Sequence, residues 1–149
     1  MEQDGPSYQE ILGRALRLLS RREHTELELR KKLSGGERGA DVVQEVIEGL
    51  KRDNYLSDER FTESFVRFRF QRYQGPLKIK AALRTKGVSE HLISRELEAR
   101  SEEWTGLACQ WLERQNIGVI DFDAKKKYYR RLKSRGFTHA QSMDALNQS

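Results

Sequence analysis

A block of about fifty residues occurs three times along this chain, and nothing else in the sequence limits the fold as strongly. Leu29-Arg30-Lys31-Lys32-Leu33, Ile79-Lys80-Ala81-Ala82-Leu83 and Tyr128-Tyr129-Arg130-Arg131-Leu132 share an apolar-x-x-x-Leu spacing with basic residues between or beside the apolar positions. Their closing leucines, 33, 83 and 132, stand 50 and 49 residues apart. Lys86-Gly87-Val88-Ser89 follows the second block and Arg135-Gly136-Phe137-Thr138 the third, again 49 apart. Self-similarity at a fixed period points to repeated supersecondary modules rather than one compact globule. Function then belongs on an extended surface, not in a catalytic pocket.

The modules read as helical. Only two prolines interrupt the chain, and Leu, Glu, Lys, Arg and Ala are plentiful with little strict alternation. Hydrophobic residues make up 36% and charged residues 34%, which suits several small cores better than one large one. Tyr8 to Arg22 reads as a first helix with Ile11, Leu12, Ala15, Leu16, Leu18 and Leu19 on its apolar face. Thr25 and Glu28 form a capping-box pattern opening a second helix with Leu29 and Leu33 on one face. Ser34-Gly35-Gly36-Glu37-Arg38-Gly39 ends it, and a third helix buries Val42, Val43, Val46, Ile47 and Leu50.

The second trio begins after a break at Asn54, with Ser57 as N-cap. Phe61, Phe65 and Phe68 line one face of a long helix that stops at Gly75-Pro76. Pro76 suits the first turn of the next helix, where its missing N–H is no loss; that helix carries Ile79 and Leu83 and ends at Gly87. Ser89 caps a sixth helix with Leu92, Ile93 and Leu97. In the third trio Trp104, Leu107, Ala108, Trp111 and Leu112 share a helix. A turn at Asn116 and Gly118 leads to a very basic helix from about Asp121 to Arg135. Gly136 ends it, and Thr138 caps a final helix with Met143 and Leu146.

The expectation is therefore an all-α, elongated tandem array of three three-helix repeats, about nine helices in all. A polar tail spans residues 1–7, and the repeats span 8–54, 55–100 and 101–149. From the anchoring leucine to the last apolar residue is 14 positions in the second and third units but 17 in the first, so the Gly-rich turn carries about three extra residues. Each unit is too small to bury a core alone, so neighbours must stack.

Catalytic and metal chemistry lack a constellation. His24, His91 and His139 fall in different units near helix starts, without a second His or Cys at ligand spacing, and read as capping or surface residues. The Gly-rich turn lacks the Gly-Lys-Ser/Thr ending of a phosphate-binding loop and joins two helices. Glu26, Glu28, Asp58 and Glu59 occupy first helical turns, where the helix dipole accounts for them. Glu96, Glu98, Glu102 and Glu103 lie among arginines on polar faces. Cys109, between Trp104 and Trp111, reads as a buried inert thiol, and a single cysteine excludes an intramolecular disulfide. The expectations are no enzymatic activity, no cofactor and no metal. Without a secretory segment or a membrane-length apolar run, the chain reads as soluble and intracellular.

Charge points to a partner. The formal net charge is +5, yet residues 1–60 carry 11 basic and 13 acidic side chains while residues 61–136 carry 17 and 9. That excess suits an acidic partner, nucleic acid or protein. It concentrates in two aromatic-bearing clusters, one running from Arg67 to Lys86 and one from Lys125 to Arg135. The candidate partner- or nucleic-acid-binding residues are Arg67, Arg69, Arg72, Lys78, Lys80, Arg84 and Lys86, with Lys125, Lys126, Lys127, Arg130 and Arg131. Phe65 and Phe68 belong on the core side; Phe70, on another face, either packs against a neighbouring unit or is exposed for contact. Lys80 with Arg84, and Lys127 with Arg130 and Arg131, have the spacing of solvent-facing stripes. Such stripes suit a phosphate backbone or protein carboxylates without base-specific reading.

Several segments together resemble RecX proteins. Ala15-Leu16-Arg17-Leu18-Leu19-Ser20-Arg21-Arg22-Glu23-His24-Thr25 through Leu33 is similar to the family's opening motif. Tyr55-Leu56-Ser57-Asp58-Glu59-Arg60-Phe61 and Gly75-Pro76-Leu77-Lys78 through Val88 are similar to its central motif, and Lys133-Ser134-Arg135-Gly136-Phe137 to its last. The likeness covers about residues 10 to 147. It implies a cytoplasmic bacterial regulator of the RecA recombinase, a monomer of tandem three-helix repeats. Such a protein binds in the groove of the RecA filament on single-stranded DNA and restrains ATP hydrolysis, strand exchange and co-protease action, and so recombination, DNA repair and the SOS response. The first unit's turn departs from the pattern, lacking the Lys-Gly or Arg-Gly step of the other two. The competing reading is a single-stranded nucleic-acid-binding repeat protein that acts without RecA.

Overall fold

The computed structural model describes residues 7–34 and 39–148. Among them are nine α-helices and no strand: α1 (Tyr8–Arg21), α2 (Glu26–Leu33), α3 (Ala40–Arg52), α4 (Asp58–Gln71), α5 (Pro76–Thr85), α6 (Glu90–Glu98), α7 (Trp104–Arg114), α8 (Phe122–Ser134) and α9 (His139–Asn147). Caps place most of their starts. The side-chain oxygens of Ser7, Thr25, Ser89, Asp121 and Thr138 each accept a first-turn backbone N–H, as short polar side chains do. Thr25 with Glu28 forms the expected capping box, and Thr138 with Gln141 forms a second. The Gly-rich turn lies mostly outside the described residues, at 35–38.

The chain divides into two compact units. One comprises the described residues up to Thr62 together with Lys86–Val88; the other comprises Glu63–Thr85 and the described residues from Ser89 onward. In the first unit Ile11 and Ala15 of α1, Leu29 and Leu33 of α2, and Val43, Val46, Ile47 and Leu50 of α3 make one core closed by Leu56. Val42, expected in it, packs at its edge. The second unit buries Val66, Ile79, Leu83, Ile93, Trp104, Leu107, Ala108, Trp111, Leu112, Leu132, Phe137, Ala145 and Leu146. The three anchoring leucines are at most 1% exposed.

Three expectations fail here, the simplest at Leu16, expected on the apolar face of α1 but 37% exposed. Phe68 is not on the core side; it is 48% exposed. The buried stripe of α4 runs through Thr62 and Val66, and Phe70 meets Trp104 with 5.4 Å between ring centroids. Phe70 thus takes the packing alternative. His24 is neither a cap nor a surface residue but 1% exposed. Its Nδ1–H donates to the Arg22 carbonyl at 3.1 Å, and its Nε2 accepts from Lys32 Nζ at 3.2 Å. Burial lowers its pKa, and the Arg22 and Lys32 charges add to that against the pull of the Arg22 carbonyl. The ring is therefore a neutral internal bridge between the α1–α2 connection and α2.

The same contact recurs in each unit. In the first, the start of α2 receives the Lys86-Gly87 turn. Thr25 Oγ1 donates to the Lys86 carbonyl at 2.7 Å, Lys86 Nζ pairs with Glu28 at 2.9 Å, and Gly87, at φ +84°, sits against the Leu27 side chain. In the second, the start of α5 receives Arg135-Gly136. Gly75 N–H donates to the Arg135 carbonyl at 2.7 Å, Leu77 N–H donates to the Gly136 carbonyl at 2.9 Å, and Gly136, at φ +101°, presses on Lys78. The 50- and 49-residue steps map Thr25 onto Gly75 and Lys86-Gly87 onto Arg135-Gly136. These glycines do more than end helices: the missing side chain lets Gly87 lie against the Leu27 side chain and lets the Gly136 backbone meet that of Gly75 and Lys78.

The first junction has an acid-sensitive charge. Burial pushes the Glu28 carboxyl up, but hydrogen bonds from Lys86, Arg22 and the Thr25 amide outweigh it and hold the pKa at about 2. The unfolded chain binds that proton more readily, near the usual 4.5, so Glu28's contribution is complete above that pH and is lost on descent toward 2. Stability is expected to fall by ~3 kcal/mol from this carboxylate over that window. Denaturant titrations across it should show Glu28→Gln removing most of that loss; a variant with the wild-type acid slope would refute the assignment.

Candidate partner interface

Several aromatic rings in and beside the Arg67-to-Lys86 cluster have a cation laid over them. The guanidinium of Arg69 on α4 sits 4.5 Å from the Phe65 centroid, and that of Arg72, just past the helix end, 4.1 Å from the Phe68 centroid. Both are i,i+4 pairs, a spacing that brings side chains together on one helix face. Arg100 covers Phe70 at 4.5 Å and Arg114 covers Tyr73 at 5.3 Å. Arg69 also donates to Gln74 Oε1 at 2.7 Å. Arg67, Arg72 and Lys78 are exposed and Lys80 is half-buried.

Arg84 and Lys86 are engaged within the chain. Arg84 donates twice to Glu90, Nε at 2.8 Å and Nη2 at 2.7 Å, and Lys86 serves the Glu28 junction. A cation matched by a carboxylate offers less field to an acidic partner than a solvent-facing one.

The second cluster lies on α8, where Asp121 caps the helix by accepting from Ala124 N–H at 2.8 Å. Lys125, Lys126, Lys127, Arg130 and Arg131 are all exposed. Lys126 lies 4.9 Å from the Phe122 centroid, and Tyr128 is covered by Lys127 at 5.5 Å and Arg131 at 5.3 Å. Arg135 belongs to the junction instead. Its Nε donates to the Tyr73 carbonyl at 2.8 Å, its Nη2 to the Arg72 carbonyl at 2.6 Å, and its plane lies over Trp111 at 5.4 Å. Through it the end of α4, with Arg72, adjoins the end of α8.

A basic surface that the sequence reading passed over lies on α1 and α2. Arg14, Arg17, Arg21 and Lys32 line a cavity of about 430 Å³ with Leu18, and Arg14 Nη2 donates to the Lys32 carbonyl at 2.9 Å. Its signal was the i, i+3, i+7 spacing along α1, hidden because residues 1–60 are acidic on balance.

Cys109 is half-buried, with Sγ donating to Gln148 Oε1 at 3.4 Å. Burial first, then Glu113 and Asp144, push its pKa up, so it stays a thiol. Among the described residues no group of three or more His, Cys, Asp or Glu could hold a metal ion, and no helix is long and apolar enough to cross a membrane.

Fold and surface together define an all-α protein of tandem three-helix domains with cation-capped aromatic rings on its second unit. Comparison with known proteins gives that class a family. The model for the first three-helix domain of RecX matches residues 12–50, and the model for the second matches residues 57–97. The regulatory protein RecX of Actinobacillus pleuropneumoniae serotype 5b (strain L20) is 39% identical over 122 residues, 82% of this chain and 81% of that protein. The regulatory protein RecX of Halorhodospira halophila is 36% identical over 140 residues, 93% of this chain and 87% of that one. The crystal structure of RecX from Lactobacillus salivarius has the same fold, with TM-score 0.84 at 20% identity over 95% of both chains. This chain belongs to the RecX family of regulatory proteins.

Proposed function

We propose that this chain is a non-catalytic regulator of RecA. It docks on the RecA filament assembled on single-stranded DNA and restrains ATP hydrolysis, strand exchange and co-protease action, thereby modulating recombination, DNA repair and the SOS response in the bacterial cytoplasm. The docking residues are the two basic clusters, Arg67 to Lys86 and Lys125 to Arg131. Three repeats, at 8–54, 55–100 and 101–149, let successive modules of one monomer meet successive protomers of a filament. Family membership carries this reading, and the exposed cations of α4, α5 and α8 supply its surface.

The test is RecA ATPase on single-stranded DNA with the chain added well below RecA in amount. Hydrolysis should fall, and fall less as salt screens the cationic contacts. Unchanged hydrolysis across a range of salt rejects the reading.

A second reading is favoured by the α8 stripe alone: direct binding of single-stranded nucleic acid without RecA. It requires a log–log salt slope of about −0.7 per phosphate neutralised. Tyr128, half-buried beneath Lys127 and Arg131, weighs against it, because bases stacking on aromatic side chains need an open ring face.

A further inference from the structure

The α8 helix starts differently from its counterparts. By the repeat steps, the first residues of α2 and α5, Glu26 and Pro76, correspond to Lys125, yet α8 begins at Phe122. The extra residues add most of a turn and put Phe122 at its tip, 72% exposed. The register differs too. Where α2 has Leu27 and Glu28 to meet a Lys-Gly turn, α8 has Lys126 and Lys127. Another basic turn of this repeat's kind, from a second copy of this chain for instance, would meet like charge there.

A groove runs between this end of α8 and α9, with a volume of about 570 Å³. From α8 it is lined by Phe122, Lys125, Lys126, Tyr129 and Arg130, at i, i+3, i+4, i+7 and i+8. From α9 it takes His139, Met143 and Leu146, at i, i+4 and i+7. Leu146 is buried at the base and Met143 is 37% exposed beside it. Tyr129 is held in place, its hydroxyl 2.8 Å from His139 Nδ1. Among the described residues no carboxylate lines the groove: Asp121 serves as the α8 cap, and Asp123 and Asp144 are not among its lining residues.

We infer that this groove is a docking site for an acidic amphipathic helical segment of another protein, its apolar side chains on Met143 and Phe122 above the buried Leu146 and its carboxylates on Lys125, Lys126 and Arg130. An aliphatic base with a soft methionine suits interchangeable apolar anchors, and two facing helix stripes give the geometry in which an amphipathic helix lays its apolar face. The cations select the sign of the flanking charge. Single-stranded nucleic acid fits less well, since nothing in a phosphate backbone would seat on the apolar side chain of Met143. The site deepens the filament reading by naming the chemistry of one contact, but it is measured without a filament, so either can fail alone.

The probe is a fluorescein-labelled peptide of about fourteen residues, near the roughly 20 Å length of α8, with leucines at i, i+3 and i+7 and glutamates between. Anisotropy with the full chain at about 50 mM salt, where surface charges are weakly screened, should show saturable binding. Replacing the leucines by serines, or Met143→Gln in the protein, should each weaken it about tenfold or more. The triple variant Lys125→Glu, Lys126→Glu, Arg130→Glu should do the same, with native helicity by circular dichroism in both protein variants. Absence of saturable binding overturns the inference, as does binding indifferent to the leucines or to Met143. So does displacement of the peptide by a short oligothymidylate whose own binding Met143→Gln weakens, which would assign the groove to nucleic acid.

Discussion

Gly136→Ala should be among the most damaging single-methyl additions in this protein, costing about 4 kcal/mol or more. Two independent causes combine. At φ +101° an L side chain is strained, worth roughly 1–2 kcal/mol. The new Cβ would also lie 2.7 Å from Lys78 N and 3.0 Å from the Gly75 carbonyl oxygen, both backbone atoms that cannot rotate away. Relief would open the junction and break Gly75 N–H to Arg135 and Leu77 N–H to Gly136, each worth about 1 kcal/mol and more if left buried without a partner. Three other glycines of the same unit separate the causes. Gly75 has ordinary φ but would drive a Cβ into the Gly136-Phe137 backbone; Gly118 has φ +79° but open space; Gly106, inside α7, has neither problem. The expected order of stability on substitution by alanine is Gly106, Gly118, Gly75, Gly136, with Gly106→Ala gaining up to about 1 kcal/mol as a helix interior position. Urea unfolding of the four variants decides it; Gly136→Ala no worse than Gly118→Ala would remove the junction from the argument.

The glycine junctions also show where sequence reading stops. Helix starts were legible because a cap is local: Thr25 with Glu28, Ser89 and Thr138 each act within three residues. The anchoring leucines were legible because periodicity reports a buried face without naming what covers it. What Lys86-Gly87 and Arg135-Gly136 dock against was not, since the receiving residues lie about sixty positions away in the chain. The exposure of Phe68 was missed for a related reason. Spacing marks it as a continuation of Phe61 and Phe65, but the neighbours of α4 select Val66 and Phe70 instead.

At the interface the balance is similar. The two basic clusters stood out by composition, but the stacked pairs Phe65–Arg69, Phe68–Arg72 and Phe122–Lys126 did not, because Phe65 and Phe68 were expected on the core side. Which cations spend their charge internally was not readable. Arg84 with Glu90 is six residues apart across a helix boundary, and Lys86 with Glu28 spans 58. The α1 stripe went unseen because averaging charge over sixty residues erases a one-helix pattern.

Stability and partner binding should come apart on α8, because the buried Leu132 and the cations of the proposed docking surface lie on different faces. Leu132 is 0% exposed in the second core, and Leu132→Ala, which leaves a cavity, should cost about 2–5 kcal/mol. The cationic face is untouched by that change, so below its lowered melting midpoint the variant should still inhibit RecA ATPase at near wild-type concentrations. Lys126→Glu, Arg130→Glu and Arg131→Glu together do the reverse. These positions are exposed and lose only surface stacking on Phe122 and Tyr128, about 0.5–1 kcal/mol per pair. Inhibition, however, should require at least about tenfold more protein, the equivalent of roughly 1.4 kcal/mol of docking energy. Melting curves and ATPase titrations on the two variants test both halves. If a folded Leu132→Ala protein lost inhibition, the core would have to shape the docking surface directly. If the triple reversal inhibited like the wild type, α8 would not be where the filament is met, and the cations of α4 and α5 would have to carry the contact.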